Sequence, residues 1–155
     1  MNEVLDFNAL IDALSECCLG ENVCKCCKNE KCLIGYCRKN LVTSLKKDVT
    51  IIDGAMKDIP LCDTKVFDEN SVIDAIGLIL CQCRNCNKYH DENCIVNLFR
   101  STCEVILIGN PHEYEGSVLT YIKSIREIND EIGSKIYDSY LRHKNNLHLY
   151  KYSKA

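Results

Sequence analysis

Apolar residues fall at helical spacing in five stretches of the chain. Val4, Leu5, Leu10, Ile11, Leu14 and Cys18 recur every three or four positions with acids between them, which predicts an amphipathic helix over 3–19, ended by Gly20. Asn29 is a candidate N-cap for a second helix over 30–47. Val72, Ile73, Ile76, Ile79 and Leu80 predict a third, from Ser71 to about Cys81. Asp91 is a candidate cap for a fourth, running to about Ile108 and stopped by Gly109, Asn110 and Pro111. Val118, Ile122, Ile125, Ile132, Ile136 and Tyr140 form one stripe, so residues 117–144 read as a single long fifth helix. Residues 48–69 read as a connector with a short strand at Thr50–Ile52 or Thr64–Phe67, and 145–155 as a flexible tail. The expected fold is mainly α, about five helices in one domain over 1–155.

Between the first and second helices, and again between the third and fourth, the pattern breaks into a run dense in cysteine. Each run is flanked by helices, which suggests an internal duplication of a helix–knuckle–helix unit, 1–47 and 70–109. Cys24-x-Cys26 matches Cys81-x-Cys83, Cys27 matches Cys86, and Cys32 matches Cys94. Leu33 and Ile34 match Ile95 and Val96, Cys37 matches Phe99, and Arg38 matches Arg100.

The chain has 155 residues, 13 of them cysteine, an odd number that cannot pair completely into disulfides. The N-terminus lacks the basic and uninterrupted apolar regions of a signal peptide, so the expected compartment is the reducing cytoplasm. Lys25, Lys28, Lys31, Arg84, Asn85 and Lys88 surround the sulfurs of both runs, and an apolar core is not built from such stretches. Thiolates in a tetrahedral set are the usual ligands of structural zinc. A cysteine in the first turn of a helix is favoured as thiolate by the exposed N–H groups and the positive end of the dipole. The expected ligands are Cys24, Cys26, Cys27 and Cys32 for one Zn2+, and Cys81, Cys83, Cys86 and Cys94 for a second, with Cys32 and Cys94 at the third helical position. An iron–sulfur cluster is the competing cofactor for an all-cysteine set.

Cys24-x2-Cys27-x4-Cys32-x4-Cys37 resembles a zinc knuckle with cysteine in place of its histidine. Cys83-x2-Cys86-x3-His90-x3-Cys94 resembles the same motif with each later gap one residue short. The resemblance covers about fourteen residues per run and makes Cys37 and His90 reserve ligands. Against Cys37, five residues of helix rotate about 500°, so Cys32 and Cys37 do not share a face. The remaining Cys17, Cys18, Cys62 and Cys103 are read as small buried hydrophobes.

Net charge is −3, which excludes a uniformly basic nucleic-acid binder, but the charge is unevenly placed. Residues 23–47 carry a net +6 and residues 48–80 a net −5. No apolar run is long enough to span a membrane. No phosphate loop, Gly-rich dinucleotide turn, His-Glu-x-x-His or Gly-x-Ser-x-Gly is present, so an enzyme is not expected. The expected role is a regulatory or adaptor protein that binds a protein partner, such as an accessory factor of a phage or mobile element acting on a recombinase, a transcription complex or a defence protein. Direct nucleic-acid binding through the basic first knuckle, or iron–sulfur redox sensing, are the alternatives.

Overall fold

The computed structural model describes residues 5–20, 24, 31–63, 66–82 and 93–153. Among these the fold is mainly helical: α1 Phe7–Glu16, α2 Leu33–Lys47, a 3-10 turn at Ala55–Asp58, α3 Glu69–Gln82, α4 Ile95–Ile108, α5 Val118–Ile128 and α6 Asp130–Ser153. No described helix is long and apolar enough to cross a membrane.

Local chemistry sets most of these boundaries. Asp6 Oδ1 accepts from Ala9 N at 3.0 Å, so α1 starts at Phe7 rather than at residue 3. Asp68 caps α3 by accepting from Ser71 N at 3.2 Å, two residues ahead of the expected start. Helices α2 and α4 both start later than the sequence suggests. Their N-caps are Cys32 and Cys94, not Asn29 and Asp91. Gly109, at φ 88°, ends α4 as expected; Asp48, at φ 52°, takes the same left-handed conformation at the end of α2.

The expected long fifth helix is two helices. At Asn129 the backbone is extended (φ −151°, ψ 103°). Its N–H closes α5 on Ile125 O at 2.8 Å, and its side-chain oxygen accepts from Ile132 N at 3.1 Å to open α6. One asparagine thus caps both helices, and the apolar stripe continues through the corner. Gly133 makes that corner possible, because a Cβ there would lie 2.9 Å from Arg126 N. Helix α6 continues to Ser153, through most of the span expected to be a tail.

Helices α1 and α3 run antiparallel. Asp6 N donates to Gln82 Oε1 at one end, and Asp68 N donates to Cys17 O at the other. Helices α2 and α4 also run antiparallel. The Cys37 thiol touches Thr102, and Ile95 N donates to Thr50 O just beyond the end of α2. Each helix of one pair also packs on one of the other, α1 on α2 and α3 on α4. The four enclose Leu10, Leu14, Cys17, Leu33, Cys37, Leu41, Ile76, Ile79, Leu98, Phe99 and Cys103, all 2 % exposed or less. Helix α6 then crosses α3 at close range. A Cβ on Gly77 would lie 2.9 Å from the Ser139 backbone carbonyl carbon, so the contact requires glycine.

The connector 48–63 is structured by these helix ends. Ile51 forms a β-bridge with Cys94, through Ile52 N to Asn93 O at 2.9 Å and Ile95 N to Thr50 O at 2.8 Å. The expected strand at Thr50–Ile52 is therefore a single bridge. The connector then returns along α2, where Tyr36 Oη donates to Ala55 O, and ends with Asp63 Oδ2 accepting from Leu33 N at 2.9 Å.

Candidate metal centres

Of the expected ligands, Cys24, Cys32, Cys81 and Cys94 are among the described residues. Cys26, Cys27, Cys83, Cys86 and the reserve His90 lie outside them. Cys24 is half-buried just past Gly20, and its N–H donates to Gly20 O at 3.1 Å. Cys32 and Cys94 are half-buried. They occupy equivalent positions, each the N-cap of its helix with an extended backbone (φ −98°, ψ 139° and φ −65°, ψ 137°) and no side-chain cap hydrogen bond. An N-cap side chain normally accepts from the second or third N–H of its helix. Here the first N–H of each helix is satisfied from the connector instead, by Asp63 at Leu33 and by Thr50 O at Ile95. The thiols are thus relieved of capping while they stay beside the positive end of the dipole. The expected third helical position is corrected to the N-cap, three positions earlier in helical register.

The antiparallel arrangement separates the two centres. Helix α2 has 15 residues and is about 22 Å long, and its C-terminal end lies beside the N-terminus of α4. Cys32 and Cys94 therefore sit at opposite ends of the α2–α4 pair. A zinc–sulfur bond is about 2.3 Å, so one ion cannot take both.

Cys81 lies in the last turn of α3 in a different setting. Its Sγ donates to Tyr140 O of α6 at 3.4 Å, and burial pushes the thiol up to about 11. Cys37 is fully buried; desolvation pushes it up to about 12, and it belongs to the core between α1, α2 and α4. Cys17, also pushed up to about 12, and Cys103 join it there as the sequence suggests. Cys18 and Cys62 do not: both are exposed. Among the described residues no group of three or more His, Cys, Asp or Glu side chains converges on a geometry that holds a metal ion.

One polar cluster was not anticipated. Arg100 of α4 is 2 % exposed and Glu104, one turn on, 1 %. The Glu104 carboxylate accepts from Arg100 Nε at 3.3 Å, Tyr121 Oη at 2.6 Å and His112 N at 2.9 Å. Arg100 Nη2 also donates to Asn97, and the guanidinium stacks 4.8 Å from the Tyr114 ring centroid. Burial raises the Glu104 carboxyl above the usual range, although Arg100, Tyr121 and the His112 N–H all favour the carboxylate. Burial likewise pushes the Tyr121 phenol up. These bonds tie the α4–α5 loop and α5 to α4. An Arg–Glu pair at i, i+4 in a helix with no other charged residue was the available signal.

No family model matches this chain, and neither a curated protein nor a solved structure does.

Proposed function

We propose that this protein is a zinc-stabilised helical adaptor, in which two metal knuckles fix the ends of an internally duplicated four-helix core and a macromolecular partner binds its surface. The observation that carries the reading is the equivalence of Cys32 and Cys94 as N-caps that make no side-chain cap hydrogen bond, each preceded in sequence by a run dense in further cysteines. Chance does not readily put the same unusual cap on two helices at matching positions. The duplication has further support in the packing. Exchanging α1 with α3 and α2 with α4 leaves the set of packed helix pairs unchanged, and the α1–α3 and α2–α4 pairs are both antiparallel. Matched core positions agree as well, since Leu33 and Ile95, and Cys37 and Phe99, are all buried.

The first ion takes Cys24, Cys26, Cys27 and Cys32. The second takes Cys83, Cys86, His90 and Cys94, in the knuckle-like spacing. Cys81 is set aside because ligation would cost its hydrogen bond to Tyr140 O and its packing against α6. A structural zinc contributes on the order of 10 kcal/mol to folding, comparable with the whole stability of a small domain. The ions in this reading are scaffolding, with coordination closed by protein ligands and no open position for a substrate.

Elemental analysis of gently purified protein tests this. Two zinc ions per chain are expected, one after Cys32→Ser or Cys94→Ser, one after His90→Ala, and still two after Cys81→Ser. Chelation should lower the thermal midpoint sharply. Protein free of zinc with an unchanged midpoint would overturn the proposal. Iron with acid-labile sulfide in place of zinc would do the same.

A further inference from the structure

We draw no further inference here: the strongest candidate, the groove between α5 and α6 lined by the exposed Leu119 with Ile122 and Tyr137, carries none, because nothing in the structure shows what covers it.

Discussion

Helices α2 and α4 begin alike and are used differently. Both open at a cysteine N-cap, both bury their first two residues, and both run 14 or 15 residues to a left-handed terminus. Yet α2 shows a basic face to solvent, while every residue of α4 from Ile95 to Glu104 is buried. The matched arginines show the divergence most plainly. Arg38 is exposed on α2, and Arg100 is locked to Glu104 beneath Tyr114 and Tyr121. The cause lies outside both helices. The α4–α5 loop and α5 cover the outer side of α4 through His112, Tyr114 and Tyr121, whereas the connector along α2 reaches it at Tyr36 and Leu33 and leaves Arg38, Lys39, Lys46 and Lys47 exposed. A polar position that water would solvate on an open helix must find protein partners once the helix is covered.

The largest expected difference between the two helices follows directly. Arg100→Ala leaves the Glu104 carboxylate buried without its counter-charge, which costs about 3–5 kcal/mol. Arg38→Ala removes an exposed side chain and should change stability by no more than about 0.5 kcal/mol. Urea unfolding of the two variants compares them. Replacing Arg100 and Glu104 together by methionine and leucine should restore only part of the loss, because no charge is then left unpaired but Tyr121 Oη and His112 N lose their acceptor. If Arg100→Ala is as mild as Arg38→Ala, the buried cluster is not the lock described above.

A smaller difference concerns pH. Cys37 of α2 and Phe99 of α4 are matched core positions, but only the thiol titrates. Its ordinary pKa is 9.0, and in the folded protein burial pushes it up to about 12. Between these values the unfolded chain has released the proton and the folded chain has kept it, so stability falls as pH rises from about 9 toward 12. The slope for one such thiol is about 1.4 kcal/mol per pH unit. Cys37→Val should flatten this alkaline limb by that amount, whereas Phe99→Leu should shift the whole curve without changing its slope. An alkaline limb that survives Cys37→Val unchanged would place its origin elsewhere.

Legibility along the chain followed the physics of each signal. The apolar stripes of α1, α3 and α4 announced those helices, because burial on one face imposes a period that no other element shares. Gly109 announced the end of α4 for the same kind of local reason. The corner at Asn129 did not show, since the stripe keeps its phase through a residue whose side chain caps one helix while its backbone closes the other. The sequence places the starts of α2 and α4 too early, because Asn29 and Asp91 are better caps by type than cysteine. What displaced them is a connector distant in sequence. Composition suggests burial for Cys18 and Cys62, but burial is set by tertiary placement, and both are exposed. The cage around Arg100 needs partners from 97 to 121, which an i, i+4 pair hints at but cannot complete.

The connector allows the smallest and most selective test. It satisfies the first N–H of both cysteine-capped helices, by a side chain at one and by backbone at the other. Leu33 N relies on Asp63 Oδ2, so Asp63→Ala should destabilise the start of α2 by about 1 kcal/mol, the usual cost of a lost cap. Ile95 N relies on the carbonyl of Thr50, so Thr50→Ala keeps the bond and should leave α4 nearly unchanged. Native-state hydrogen exchange at Leu33 and Ile95 separates the two ends within one molecule. Asp63→Ala should speed exchange at Leu33 several-fold and leave Ile95 alone, and Thr50→Ala should do neither. Equal loosening of both ends by Asp63→Ala would mean that the connector moves as one body, and that the two cysteine caps are mechanically coupled despite lying a helix length apart.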